Sequence, residues 1–196
     1  MSPKQQRGEE TVARVLDAAL ELYAQSGEAG LTLGAITQAG GVSAGSIYHH
    51  FGSLHGVTTA LAMRWLGRLL GELAAALERA DDARTGIHAI VRTYLDFVRA
   101  HPAAARLLHS ARADHEGMAH AKAIRDSQEA RLSPIAAWID ARREAGELAA
   151  LPTPVIESLV LGPVVGAARR WLSVGDIDLD ETTPALQEHI WRSVAP

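Results

Sequence analysis

The chain has 196 residues, 47% of them hydrophobic, with no cysteine and a formal net charge of −4 at pH 7 when histidine is neutral. A chain of this length can hold a small domain beside a larger apolar core. The missing cysteine excludes disulfide and thiolate chemistry. The start is polar and charged rather than a signal peptide, and no apolar run is long enough to span a bilayer, which together predict a cytoplasmic protein.

The segment Leu31–Phe51 predicts two short helices joined by a glycine turn. Thr32 is placed to cap the first of them, and the apolar residues at positions 33, 36 and 39 recur at three-residue steps that put them on one buried face. Gly40 and Gly41 are predicted to end it, because glycine enters the left-handed conformation of a sharp turn without a steric penalty. Two helices at this spacing are typical of a DNA-reading helix-turn-helix.

The residues of the second predicted helix indicate the surface that would contact DNA. Ser43 offers a hydroxyl to cap this helix, and Ile47 is placed to pack inward. The outward residues are small enough to let the helix approach a groove, and the hydroxyl and imidazole groups that follow can donate to phosphate oxygens. The small residues are Ala44, Gly45 and Ser46, and the donors are Tyr48, His49 and His50.

From Thr11 to Phe51 the chain resembles the N-terminal domain of TetR-family transcriptional regulators, with VLDAALELYAQSG as first helix, LTLGAITQAGGVS as second helix and turn, and AGSIYHHF as recognition helix. The resemblance implies that the first helix braces the other two through an apolar stripe and ends at Gly27. The stripe consists of Val12, Val15, Leu16, Ala19, Leu20 and Tyr23. The resemblance also implies a dimer whose recognition helices enter successive major grooves of a palindromic operator, and a C-terminal domain that senses a small molecule.

We therefore predict an all-α protein with two domains. Residues 1–52 would form an N-terminal arm and a three-helix DNA-binding domain, with the helix-turn-helix at 32–51. Residues 53–196 would form a helical regulatory and dimerisation domain, with 53–80 as the connecting helix. Lys4 and Arg7 on the arm could reach phosphate or a minor groove, and Thr32 and Ser43 are further candidate DNA contacts.

Charge and the start of the connecting helix depart from a strongly basic DNA-binding domain. Residues 1–60 carry Lys4, Arg7 and Arg14 against five acidic side chains, whereas nucleic-acid binders are usually basic on the contact face. The lysine that the family usually has after the Phe is missing, and Gly56 gives Ser53 no acidic partner for a capping box. These features predict modest, salt-sensitive DNA binding and flexibility at the start of the connecting helix.

Beyond Ser53 the sequence predicts successive helices. Residues 53–80 carry an apolar residue at every fourth position, which defines one buried stripe along a long helix. Its members are Val57, Leu61, Trp65, Leu69, Leu73 and Leu77. After a polar break at 82–85, further helices are predicted at 87–99, 103–112, 115–144, 155–172 and 184–194, with a kink or break at Pro134 and an acidic loop at 176–181.

The segment Leu159–Leu172 resembles the penultimate helix of many TetR-type proteins and predicts the dimer interface. Its small residues would let a symmetry-related helix approach closely, and the last helix would complete a four-helix interface. The predicted interface residues are Leu159, Val160, Gly162, Pro163, Val164, Ala167, Trp171, Ile190 and Trp191. An ordinary buried helix is the alternative interpretation.

A ligand pocket is predicted on helices that resemble the pocket-forming elements of this family. Aromatic side chains with a few polar groups suit an apolar small molecule. The candidates are Trp65, Leu69, Tyr94, Phe97, Leu107, Leu108, Met118, Ile135 and Trp138. Ordinary core packing is the alternative for each of them, and the chemical class of the effector stays open.

Two other classes of site are alternatives. Imidazole and carboxylate groups in the middle of the chain could hold a metal ion, but His115 and His120 are five residues apart and do not share a helical face, which favours solvated or capping histidines. That group consists of His101, His109, His115 and His120 with Asp114 and Glu116. The sequence has no nucleophile elbow, phosphate-binding glycine loop, dinucleotide fingerprint or His-Glu-x-x-His motif, so we predict neither an enzyme nor a cofactor. A helical protein-interaction module that has lost DNA binding is the alternative function.

Overall fold

The computed structural model describes residues 3–110, 113, 115 and 119–196. Over these residues the regular secondary structure is helical, which confirms the predicted all-α class. The helices are α1 (Pro3–Ser26), α2 (Leu33–Gly40), α3 (Ala44–Phe51), α4 (Leu54–Glu78), α5 (Ala83–Ala100), α6 (Pro102–Leu108), α7 (Ala121–Glu144), α8 (Thr153–Ser173) and α9 (Leu179–Val194), with a 3₁₀ turn at Gly27–Gly30. Contacts divide the chain into a first unit, residues 1–65, and a second unit, residues 66–196, so the division falls within α4.

The first unit is built on α1, which packs against α2 and α3. Its core is the apolar stripe predicted on α1, of which Val12 and Leu20 are half-buried and the other four members buried, together with Ile36 and Ile47. Ala39, predicted to share the buried face of α2, is exposed. A Cβ on Gly40 would lie 3.6 Å from the Cβ of Ala18, so the face of α2 that meets α1 runs through Ile36 and Gly40, four residues apart.

The turn between α2 and α3 has the predicted caps. The Thr32 hydroxyl accepts a hydrogen bond from the Ala35 N–H at 3.2 Å, and the Ser43 hydroxyl accepts one from the Ser46 N–H at 3.1 Å. Gly41 adopts the left-handed conformation, with φ of 58°. Each cap satisfies a backbone donor that the first turn of a helix leaves open, so this sequence fixes where both helices begin.

The second unit is held together by α5, which packs against α6, α8 and α9. Helix α8 also contacts α6, α7 and α9. The apolar core of the second unit includes Leu69, Leu73 and Leu77 from the predicted stripe of α4. The other three stripe members, Val57, Leu61 and Trp65, are buried too and fall within residues 1–65, so the four-residue period predicted the inward face of α4 over its whole length.

Two polar segments predicted as breaks or loops are helix caps. The Asp82 carboxylate accepts a hydrogen bond from the Thr85 N–H at 2.7 Å, and the Thr85 hydroxyl accepts one from the Asp82 N–H at 3.2 Å, which makes a capping box. Helix α5 therefore begins at Ala83. The Asp178 carboxylate accepts from the Asp180 and Glu181 N–H groups, so α9 begins at Leu179. Pro134 lies inside α7 and does not break it.

Candidate nucleic-acid interface

Helix α3 presents its first turn to solvent. Ser43, Ala44 and Gly45 are exposed and Ser46 is half-buried, while Ile47 is fully buried and anchors the helix. A Cβ on Gly45 would meet only the Ser43 hydroxyl, at an ordinary 3.8 Å. The packing of this unit therefore does not require glycine here, and the front of α3 is slimmer than the fold demands.

The second turn of α3 carries exposed hydrogen-bond donors. The Tyr48 side chain is 54% exposed, and His49 and His50 are exposed beside it. The rings of His49 and His50 meet edge to face with centroids 5.0 Å apart, and His50 meets Phe51 in the same way at 6.4 Å. Edge-to-face contacts are favourable ring arrangements and limit the directions in which these donors point.

His50 also faces α1. Its ring is one wall of an open hollow of about 530 Å³ along the first half of α1, whose apolar lining includes Val12 and Leu16 and whose α4 residue is Arg64. A Cβ on Gly8 would lie 3.7 Å from Cε1 of His50. The sequence predicted His50 only as a phosphate contact, because its spacing along α3 gives no sign of the neighbouring helix.

The predicted N-terminal arm is helical. Helix α1 begins at Pro3, so Lys4 and Arg7 lie on a helix and not on an extended segment; Arg7 is exposed, and the side chain of Lys4 lies outside the described part of the structure. Proline suits a first helical turn, and glutamine and arginine are good helix formers. The predicted N-terminal arm is therefore an extension of helix α1 and not an extended segment that reaches into a minor groove.

The junction between α3 and α4 is closely packed. Gly52 has φ of 71°, and the Ser53 hydroxyl accepts a hydrogen bond from the Gly56 N–H at 3.0 Å. A Cβ on Gly56 would lie 1.9 Å from the carbonyl oxygen of Phe51. Ser53 therefore caps α4 without an acidic partner, and Gly56 is required by the close approach of the chain leaving α3. The sequence prediction of flexibility did not include this support.

One acidic residue of α1 is paired with a basic residue of α4. Asp17 accepts a hydrogen bond from the Arg64 guanidinium at 2.6 Å, and both side chains are partly exposed. Arg64 lies beyond the residues over which the sequence charge was counted, so the acidic excess of the first unit is smaller than predicted. The pair also ties the first half of α4 to α1.

Residues 15–55 match the family model described as bacterial regulatory proteins, tetR family. The match confirms that this segment is a TetR-type N-terminal domain. The repressor KstR2 of Rhodococcus jostii is 32% identical over 86 residues, which cover 44% of this chain and 42% of that relative. The chain thus matches less than half the length of this regulator, and the match is confined to part of each protein.

Solved structures of TetR-family proteins share the fold over nearly the whole chain. A TetR family transcription regulator from Marinobacter aquaeolei is 20% identical, covers 97% of this chain and 98% of its own, and has a TM-score of 0.75. FadR of Bacillus subtilis in complex with stearoyl-CoA is 14% identical, covers 91% and 96%, and has a TM-score of 0.69. These likenesses extend the TetR-type fold beyond the helix-turn-helix to the second unit.

The predicted pocket residues of this TetR-type protein are mostly buried. Trp65 falls in the first unit and the other described candidates in the second, and Met118 lies outside the described residues. The buried candidates are Trp65, Leu69, Tyr94, Phe97, Leu107 and Ile135, and the half-buried ones are Leu108 and Trp138. Burial raises the pKa of the Tyr94 hydroxyl, which lies 3.2 Å from Nε2 of His109.

The predicted dimer residues divide by burial. Val160, Val164 and Ile190 belong to the core of the second unit, so their side chains have little surface left for a partner. Gly162 and Pro163 are exposed, and Leu159, Ala167, Trp171 and Trp191 are half-buried. The residue that follows α8, Val174, is 63% exposed, and Val155 in its first turn is 42% exposed. The sequence did not single out either valine.

The described residues hold no group of three or more histidine and acidic side chains that could bind a metal ion. Asp114 and Glu116 lie outside the described residues. None of the described helices is both long enough and apolar enough to cross a membrane.

Proposed function

We propose that the protein is a transcriptional repressor that binds a palindromic operator as a homodimer and is released by a small-molecule effector. The observation that carries the proposal is the exposed face of α3, where a slim first turn is followed by exposed tyrosine and histidine donors. Caps at Thr32 and Ser43 and the left-handed turn at Gly41 hold that face on a buried core.

The two turns of α3 suit different tasks on DNA. Ala44 and Gly45 expose so little side chain that the helix can approach the base edges of a major groove, where sequence is read. Tyr48 and His49 project donors from the next turn, where they suit phosphate oxygens, which position a protein without reading sequence. This division predicts which substitutions change specificity and which change affinity alone.

Charge sets how strong the binding is. Among residues 1–65 four basic side chains face five acidic ones, and the Arg64–Asp17 pair removes one charge of each sign from the balance. Few phosphates are then neutralised by lysine or arginine, so the sequence-independent part of affinity is small. We infer modest affinity that depends on the engagement of two half-sites by a dimer.

The exposed side of α8 supports the dimer. A Cβ on Gly162 or on Gly166 would meet no atom within 4 Å, so neither glycine is needed by the packing of its own chain. Exposed Val155 and Pro163 lie on the same helix, and Val174 follows it. A two-fold related copy of α8 could approach closely along the glycines and cover this apolar surface.

The effector is proposed for the second unit, where the chain keeps the TetR-type fold. The FadR of Bacillus subtilis was solved in complex with stearoyl-CoA, which supports a small molecule as the class of effector for this fold. Binding of such a molecule would weaken DNA binding if it favours a state in which the two recognition helices no longer match half-sites about 34–36 Å apart.

DNase footprinting on the DNA upstream of the protein's own gene tests the DNA-binding part. We expect a protected palindrome at low salt whose protection weakens steeply as salt rises. Tyr48→Ala and His49→Ala should weaken protection on all sites alike, whereas changes of Ala44 or Ser46 should alter which sequence is protected. A complex indifferent to salt, or four variants that bind like the wild type, would contradict the assigned surface.

The acidic balance of the first unit also favours a second candidate function, a helical protein-interaction module that has lost DNA binding. The same footprint separates the two functions. No protection at low salt by a chain that is still dimeric in the ultracentrifuge would favour the interaction module.

A further inference from the structure

Trp138 of α7 packs so closely against α5 that only glycine fits at the facing position, Gly86. A Cβ on Gly86 of α5 would stand 2.2 Å from Cζ2 of the indole and 2.3 Å from Cη2. The guanidinium carbon of Arg142 lies over the ring, 5.4 Å from its centroid. The indole is therefore held at its edge and on one face, and packing fixes the direction of its N–H.

The indole N–H of Trp138 is buried and has no hydrogen-bond partner within the protein. Most buried donors in folded proteins are paired, because an unpaired one loses its hydrogen bond to water and gains nothing in return. Another buried polar group of the same unit, the Tyr94 hydroxyl, has His109 as its partner at 3.2 Å. Nε2 of His88 in the same unit also lacks a hydrogen-bond partner, but it lies 3.7 Å from the Glu188 carboxylate. The open donor on Trp138 calls for an acceptor.

The surroundings indicate which acceptor fits. Leu77 of α4 reaches within 3.3 Å of the same Cβ position on Gly86, and the neighbouring isoleucines Ile90 of α5 and Ile139 of α7 are buried. A neutral carbonyl oxygen suits such a place, because it is satisfied by the single donor that Nε1 offers. The Arg142 guanidinium already pairs with Glu147 and donates to two backbone carbonyls, so it does not call for an anion.

We propose that Trp138 Nε1 is the hydrogen-bond donor of a ligand site in the second unit, and that the site takes a neutral, apolar molecule with a carbonyl oxygen. The oxygen accepts from Nε1, and the hydrocarbon part lies against the apolar side chains of α4, α5 and α7. The inference rests on the proposed function in one respect, since it names the chemical class of the effector.

The test uses the intact chain with 2-octanone and octane, two probes of similar size that differ in the carbonyl. With ¹⁵N-labelled tryptophan, the indole signal that is missing in Trp138→Phe identifies Trp138. We expect 2-octanone to shift this signal downfield and octane to leave it in place. Trp138→Phe keeps an aromatic ring but has no N–H, so its affinity for 2-octanone should fall about tenfold while its affinity for octane stays the same. Lys122→Gln, at a well exposed position of the same helix, is the control, with the 2-octanone shift and affinity retained.

Failure of this inference and failure of the proposed function give different results. No shift of the Trp138 signal by 2-octanone, or equal affinity of wild type and Trp138→Phe for it, would overturn the ligand site. Circular dichroism and operator footprinting of Trp138→Phe report separately on its folding and on DNA binding. Loss of 2-octanone preference in a variant that still protects the operator supports the site. Absence of protection by the wild type counts against DNA binding alone.

Discussion

The Arg142 guanidinium lies 3.1 Å from the carboxylate of Glu147, and this ion pair joins the end of α4 to the start of α5. The Arg142 guanidinium donates to the carbonyl oxygens of Ala80 at 3.2 Å and Asp81 at 2.9 Å, which follow α4. Glu147 accepts a hydrogen bond from the Ala83 N–H at 2.8 Å, at the start of α5. One ion pair therefore satisfies open backbone groups at the end of one helix and at the start of the next.

Arg142→Gln should destabilise the second unit by about 1–2 kcal/mol, because it removes charge-assisted hydrogen bonds from a half-buried site. Urea unfolding followed by circular dichroism measures the change. Lys122→Gln is the control, since the Lys122–Asp126 pair of α7 is well exposed and should contribute a few tenths of a kcal/mol at most. Equal losses in both variants would show that Arg142 acts only as a surface charge.

Gly86→Ala should be among the most damaging single-methyl changes in the second unit. The added methyl would overlap the Trp138 ring, and a core that must accept extra volume against a fixed ring loses about 1–3 kcal/mol. Gly71→Ala on α4 is the matched control, because a Cβ there meets no atom within 4 Å and alanine favours a helix by about 1 kcal/mol. The melting temperature should fall in Gly86→Ala and rise in Gly71→Ala. A raised melting temperature of Gly86→Ala would contradict the close packing of Trp138 against Gly86.

Local pattern predicted much of this structure, while contacts between distant residues were out of reach. The four-residue period of α4 named its buried side chains correctly, and Thr32 and Ser43 cap the helices that they were predicted to cap. Asp82 and Asp178 were interpreted as loop residues, because a polar segment before a helix has the same composition whether or not its side chains bond the first turn. The fit of Trp138 against Gly86 joins residues far apart in sequence, and no spacing rule identifies such a pair.

Gly162→Ala combined with Gly166→Ala should weaken the dimer while leaving the monomer folded. Each methyl points into open space on its own chain and favours the helix, by about 1 kcal/mol per residue, but it would stand in the path of a closely packed second helix. Sedimentation equilibrium should show a dissociation constant raised at least about tenfold, equal to about 1.4 kcal/mol. With Gly71→Ala as the control, unchanged dimerisation of the double variant would place the interface elsewhere.

Gly56→Ala should disturb the first unit and reduce operator protection. A methyl group 1.9 Å from the Phe51 carbonyl forces the start of α4 away from the end of α3, at a cost of about 1–3 kcal/mol. Gly34→Ala in α2 is the comparison for stability, because its Cβ meets nothing within 4 Å. The hydrogen-exchange rates of the α3 amides and a DNase footprint of the operator measure the effect. If both are unchanged in Gly56→Ala, the junction accepts the methyl group without loss of stability.

His88 makes the stability of the second unit depend on pH. Burial lowers its pKa below 6.5, with Arg84 and Arg92 acting in the same direction and Glu188 opposing them. The folded protein therefore binds this proton less readily than the unfolded chain, so the free energy of unfolding should fall as pH drops below 6.5. Glu188 acts at lower pH. The hydrogen bond from Arg84 lowers its pKa below 4.5, so the stability that it contributes is lost at more acidic pH.

Urea midpoints at about pH 7.5 and 5.5 test the effect of His88. The loss of stability at the lower pH should be smaller in His88→Gln than in the wild type. The control variant His189→Gln changes an exposed histidine of α9 and should lose as much stability as the wild type. Parallel losses in His88→Gln and the wild type would assign the acid sensitivity to other groups.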